Sequence, residues 1–165
     1  MDNDFFIKNE LDDWNKLIKF NEKAHLFDTL ERSSRYSVWD ASGTSKNHKI
    51  IIELKQRNVI LTQDLKLSGK SFIDDTIIIE DYKAAQLYLE GITNNAIPIY
   101  INFLADNTII IHNLNRITSY RFFERTITSQ GYGRRETCKR IGLHLNDATI
   151  YTLDGELIKG KNECK

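Results

Sequence analysis

The most chemically loaded stretch of the chain is Glu53-Leu54-Lys55, inside the run HKIIIELKQR. Side chains alternate along a strand, so Ile50, Ile52 and Leu54 share one face while Ile51, Glu53 and Lys55 share the other. A carboxylate and an ammonium side by side on a strand otherwise built of isoleucine are costly to bury without a purpose. Asp40 lies at the end of the preceding strand-like run, YSVWDAS, and GTSKN between the two runs reads as a turn. Folded back as an antiparallel pair, the two strands bring Asp40 toward Glu53. Two carboxylates bind a hard cation such as Mg²⁺ through oxygen and leave most of its sphere to water and phosphate oxygens. A lysine pointing into the same space can hold an attacking water or stabilise charge that develops on a phosphate. These residue types suit metal-assisted hydrolysis of a phosphodiester. Taken alone, Glu-x-Lys is also an ordinary surface pair on a strand.

A second concentration of charge lies between residues 116 and 140, where Arg116, Arg121, Arg125, Arg134, Arg135, Lys139 and Arg140 face only Glu124 and Glu136. Arginine outnumbers lysine there, and Tyr120, Phe122, Phe123 and Tyr132 are interleaved, a composition suited to phosphate contact. Arg121, Arg125, Arg134, Arg135, Lys139 and Arg140 are therefore candidate nucleic-acid-binding residues. Arg57 joins them, because it follows Lys55 by two positions on the same strand face. A solvated basic surface is the plainer reading of the same run. Residues 1 to 31 carry the opposite excess, with eight acids against four lysines.

The elements that must position these groups follow from periodicity. Residues 9 to 31 read as a helix or a helix with a break, with Leu11, Trp14, Ile18, Glu22 and Leu26 along one stripe. Two strands around GTSKN come next, then a mixed excursion over NVILTQDLKLSGKSFIDD and a buried strand at TIIIE. DYKAAQLYLEGI reads as a helix with Tyr82, Ala85 and Leu89 on one side and Gly91 as its stop. IPIYINFLADNTIIIHNL follows as a hairpin turning at Asp106-Asn107, with Pro98 near the start of its first strand. Beyond an Arg-rich connection with QGYG as its turn, ATIYTL and GELI form a terminal hairpin around Asp154-Gly155. The order predicts a mixed α/β fold in which the TIIIE strand lies parallel to the strand after the second helix, with the first helix on the opposite side of the sheet.

This succession resembles the PD-(D/E)XK nuclease superfamily, the restriction-endonuclease-like fold, over about residues 10 to 115. The motif of that family, Asp followed at a distance by (Asp or Glu)-x-Lys, corresponds here to Asp40, Glu53 and Lys55, with Trp39 in place of the proline that often precedes the first Asp. The resemblance implies an αβββαβ mixed sheet flanked by helices, with a C-terminal β-rich extension over 116–165, all within one domain spanning 1–165. It implies that Asp40, Glu53 and the backbone carbonyl of Leu54 ligate Mg²⁺ or Mn²⁺ and that Lys55 acts on the water. Many members add a glutamate from the first helix; Glu22 is the choice here because it interrupts an apolar stripe, with Glu31 as runner-up. Glu80, Lys83 and Gln86, after the TIIIE strand, fall where polar residues of the family approach the site or the DNA, and Glu80 with Lys83 also suits a plain helix-start pair.

Other signals carry less. His25, His48, His112 and His144 have no ligand-like spacing, Asp12-Asp13 and Asp74-Asp75 look like helix-start and turn residues, and Gly131-Tyr-Gly133 lacks the surroundings of a phosphate loop. At 165 residues the chain has the size of one ordinary domain, and 23 basic against 23 acidic residues announce no partner by bulk charge. Cys138 and Cys164 suggest neither a disulfide framework nor a zinc ribbon, and no apolar run reaches the roughly 20 residues that cross a bilayer. With a start unlike a signal peptide, the expectation is a cytoplasmic protein with no membrane partner. The Ile, Asn and Lys content points to an AT-rich bacterial or phage genome. The sequence thus predicts a deoxyribonuclease with DNA as partner, and cutting two strands would suit a homodimer. The alternatives are an inactive nuclease-fold module that binds nucleic acid or protein, and a structural α/β protein in which Glu53 and Lys55 form a partly buried pair.

Overall fold

The computed structural model describes residues 3–34, 37–69, 75–118, 120–128 and 135–160, with backbone alone at 3–10, 123, 125–128 and 135–138. Helix α1 (Asn3–Ala24) leads into strands β1 (Thr29–Arg32), β2 (Ala41–Ser45) and β3 (His48–Arg57). Two short strands, β4 (Ile60–Leu61) and β5 (Leu67–Ser68), precede β6 (Thr76–Glu80) and helix α2 (Asp81–Thr93). The chain continues through β7 (Ala96–Leu104), β8 (Thr108–Asn113), β9 (Tyr120–Thr128), β10 (Arg135–His144), β11 (Ala148–Thr152) and β12 (Leu157–Lys159).

Seven strands form the main sheet in the order β1-β2-β3-β7-β8-β11-β12. Among the described residues only β3 and β7 run parallel in it, and α2 lies in the crossover that joins them. Alternation along β3 sorts its neighbours: Ile50, Ile52 and Leu54 pack with Leu17 and Phe20 of α1, while Ile51 packs with Ala84 and Leu87 of α2. One helix therefore covers each face. This is a mixed α/β architecture, the fold class expected from the sequence. The hairpins turning at Asp106-Asn107 and Asp154-Gly155 form as expected, as β7–β8 and β11–β12.

Several expected elements are placed differently. The first helix stops at Ala24, and the stretch expected to complete it becomes β1, an edge strand paired with β2. The run before the chemical motif is not a strand up to Asp40: residues 37–40 bend, and β2 begins at Ala41 and continues through Gly43 and Thr44. The turn is only Lys46-Asn47, both at positive φ (48° and 66°), as the twist of a two-residue hairpin requires. Strand β6 is absent from the main sheet; it pairs with β10 in a second sheet ordered β6-β10-β9, so the parallel partner of β7 is β3. The expected Arg-rich connection is thus largely two long antiparallel strands. In α2 the buried residues are Ala84, Leu87 and Gly91, while Tyr82 and Leu89 face outward. The QGYG turn lies outside the described residues. Among the described residues no helix is long and apolar enough to cross a membrane.

Gly43 shows how closely β1 is laid on β2. A Cβ built there would sit 1.9 Å from the Thr29 carbonyl oxygen, a backbone atom with no flexible side chain to yield. Gly43→Ala is therefore expected to push β1 off the sheet and cost about 1–3 kcal/mol, the usual range for overpacking, read as a lowered urea midpoint. An unchanged midpoint would mean that β1 adapts freely.

Candidate active site

Asp40 is fixed by its backbone before its side chain acts. Its N–H donates to the Ile52 carbonyl (2.9 Å) and its carbonyl accepts from Ser33 N–H (2.9 Å). The ladder between β2 and β3 ends at the Ala41–Ile52 pair, and Asp40 Oδ2 then accepts from the Leu54 N–H at 2.7 Å. A side-chain oxygen has taken the place of a strand carbonyl. In an extended strand the N–H and C=O of one residue point to the same side, so the Leu54 carbonyl also faces the Asp40 side, beyond the end of the β2 ladder.

Glu53 projects on the other face of the sheet, opposite Tyr100 of β7 in the parallel register. Its side chain is only 13% exposed and lies 2.9 Å from the Lys83 ammonium, which α2 delivers at the end of its first turn. Lys83 Nζ also donates to the Val38 carbonyl at 2.7 Å, tying α2 to the bend that carries Asp40. Burial and, next, the charge of Asp40 push the Glu53 carboxyl up to about 7, against the opposing pull of Lys83 and Lys55. Glu53 Oε2 takes the Lys83 ion pair and, among the described residues, no further hydrogen bond. A hydrogen-bond-deficient oxygen beside a second, mutually repelling carboxylate fits a hard cation that coordinates through oxygen. Among the described residues no three Asp, Glu, His or Cys side chains cluster closely enough to hold a metal on their own.

Glu53, Lys55, Arg57, Glu80, Lys83, Tyr100 and Arg140, with Ile78 and Ile79, line a cavity of about 50 Å³ between the main sheet, α2 and the second sheet. Lys55 stands exposed at it. Arg57 is turned inward instead of out to a phosphate: its Nε donates to Asn102 Oδ1 (3.0 Å) and its Nη2 to Tyr100 Oη (2.6 Å) and the Ile78 carbonyl. The described contacts of Arg57 thus form a part-buried brace between β3, β7 and β6. The sequence could not show this, because Tyr100 and Asn102 are brought beside Arg57 only by the β3–β7 pairing.

The first-helix acid is where the expectation shifts. Glu22 is exposed, and Glu31 sits exposed on β1, opposite Ser42. Among the described α1 carboxylates, Asp13 is the one that feels the charge of Asp40, and it accepts from Gln56 Nε2 at 2.6 Å. Burial raises its pKa above the ordinary carboxylate value, opposed by Gln56 and Lys16, with Asp40 and Asp12 adding to the rise. Glu22 lies nine positions further on, about 13 Å along the axis at 1.5 Å per residue. The missed signal is phase: Leu17, Phe20 and Ala24 follow Asp13 at helical spacing, and that stripe is the one facing the sheet. Asp12 and Asp13 are accordingly mid-helix residues, not a helix start.

Of the basic residues of 116–140, Arg140 reaches the cavity. Arg121 is exposed and lies 3.9 Å from Asp75, and Lys139 is exposed. Arg125 and Arg135 belong to β9 and β10, but their side chains lie outside the described part, as does Arg134 altogether. The histidines are occupied structurally where contacts are described: His112 is buried and bonded to the His144 carbonyl, and His144 contacts Asp75.

Fold and site together define a mixed α/β chain with an Asp…Glu-x-Lys constellation at the end of its central strands. No protein-family model matches the chain, and no curated protein matches it in sequence. Among solved structures it is similar to Hjc, a Holliday junction resolvase of the archaeal hyperthermophile Archaeoglobus fulgidus, at 13% identity and a TM-score of 0.49, over 92% of this chain and 99% of that one.

Proposed function

We propose that this protein is a Mg²⁺- or Mn²⁺-dependent deoxyribonuclease. The observation that carries the reading is the Asp40 carboxylate locked onto the Leu54 N–H beside a buried Glu53, with Lys55 next along the same face. Asp40, Glu53 and the Leu54 carbonyl would hold the cation, and the missing ligands would come from water and phosphate oxygens. The cation would supply Lewis-acid polarisation and charge neutralisation at the phosphate. Lys55 places an ammonium where negative charge grows as water oxygen bonds to phosphorus and the ester P–O bond breaks. Lys83 keeps the Glu53 carboxylate in place and draws α2 toward the Asp40 bend. The proposed α1 contributor is Asp13, through its charge at Asp40, in place of Glu22.

Labelled single-stranded, duplex and branched DNA, each incubated with the protein and Mg²⁺ or Mn²⁺, test this directly. Cleavage of at least one substrate is expected, stopped by a chelator. Salt-sensitive binding without cleavage of any substrate would instead identify an inactive binding module.

A further inference from the structure

The C-terminal strands supply one guanidinium to the cavity beside Glu53, and its surroundings assign it a ligand. Arg140 lies on β10 directly opposite Glu80, the residue from which α2 starts. Oppositely charged residues facing each other across an antiparallel pair ordinarily join. Among the described residues, however, Arg140 has no ion pair, and its Nε is buried without a hydrogen-bond partner. The other interior guanidinium in this wall, Arg57, has carbonyl and side-chain acceptors for its donors. Arg140 is thus the planar fork whose buried donor is still unsatisfied, and leaving such a group unmet is costly.

The charge of the cavity points the same way. Lys55, Arg57, Lys83 and Arg140 outnumber Glu53 and Glu80 by four to two, a surplus of two positive charges before any cation is added. About 50 Å³ is room for several waters or for the oxygens of one small anion. An arginine fork matches phosphate oxygens in a way that a lysine point charge does not.

We propose that Arg140 anchors a phosphate group of the nucleic-acid strand inside this cavity, so that the anion meets both Lys55 and a residue of the second sheet. The inference rests on the nuclease reading for the identity of the strand, but the phosphate site can be measured without cleavage. Inorganic phosphate is titrated into the metal-free wild-type protein, Arg140→Gln, Arg140→Lys and the control Lys19→Gln, on the exposed side of α1, with thermal stabilisation and amide chemical shifts as readouts. Phosphate should stabilise wild type and the control alike, and bind Arg140→Gln about ten- to a hundredfold more weakly, the loss of one charge-assisted hydrogen-bond group. Arg140→Lys, which keeps charge and fold but has no Nε donor, should also bind more weakly. Equal phosphate binding by wild type and Arg140→Lys, or no phosphate binding by wild type, overturns the proposal. Arg140-dependent phosphate binding in a protein that cleaves no DNA would support the anion site while removing the nuclease reading. Cleavage with Arg140-independent phosphate binding would do the reverse.

Discussion

Lys55→Ala is expected to slow DNA cleavage by about 10²–10⁴-fold, the range for removing a positioned proton-transfer or charge-stabilising group. Divalent-cation binding should survive. Lys55 opposes the raised proton affinity of Glu53 only weakly beside burial and Asp40, and its charge repels a cation, so its loss should leave metal affinity at pH 8 unchanged or improved. Asp40→Asn should give the opposite split. An asparagine oxygen can still accept from the Leu54 N–H, so the end of the β2–β3 ladder is kept, but one anionic ligand is gone and cation binding should weaken with cleavage. Asp40→Ala is the poorer test, because it strands the Leu54 N–H and adds a folding cost of about 1–3 kcal/mol. Isothermal calorimetry with Mn²⁺ and single-turnover cleavage separate the two variants. Cleavage unaffected by either, or cation binding unchanged in Asp40→Asn, would remove these residues from the chemistry.

Local alternation was enough to place Glu53 and Lys55 on the face away from Ile50, Ile52 and Leu54, because a period of two leaves no choice of phase once the strand is known. A helix is less strict. In α1, apolar residues at 11, 14, 17, 18 and 20 allow more than one stripe, and the sheet chose the one through Leu17 and Phe20, leaving Leu11 and Glu22 outward and turning Asp13 in. The same ambiguity misplaced Tyr82 and Leu89 in α2, where the closely packed small residues Ala84 and Gly91 face the core instead. Long-range pairing was out of reach of local pattern altogether. Strand β6 is bonded to β10, some sixty residues away, and it is this partnership that turns an apparent basic connection into a wall of the cavity and delivers Arg140. The carbonyl that receives Arg57 comes from the same β6.

Glu53→Gln is expected to make the cation-free protein more stable at pH 8 while abolishing cleavage. A carboxyl pushed from 4.5 up to about 7 by burial holds its proton more tightly folded than unfolded, so the stability tied to it is fully present below 4.5 and is lost as pH rises through 7. The ionised, folded side chain is then disfavoured by about 3 kcal/mol at higher pH. Glutamine has no proton to lose and can still face Lys83, whose ammonium keeps the Val38 carbonyl. The Lys83 attraction is already contained in that net rise, and the different hydrogen bonding of an amide offsets part of the gain, leaving an expected increase of about 1–3 kcal/mol at pH 8 and under about 1 kcal/mol at pH 5. Urea denaturation of both proteins at the two pH values, with a chelator present, reads this difference. Adding Mn²⁺ should reverse the order at pH 8, since a cation that binds only the folded wild type stabilises it in proportion to RT ln(1 + [L]/Kd) and has lost a ligand in the variant. The same cation should stabilise wild type less at pH 6, where protons compete for Glu53. If Glu53→Gln is no more stable than wild type at pH 8 without metal, burial is not straining this carboxylate, and the case for a cation as its missing partner falls with it.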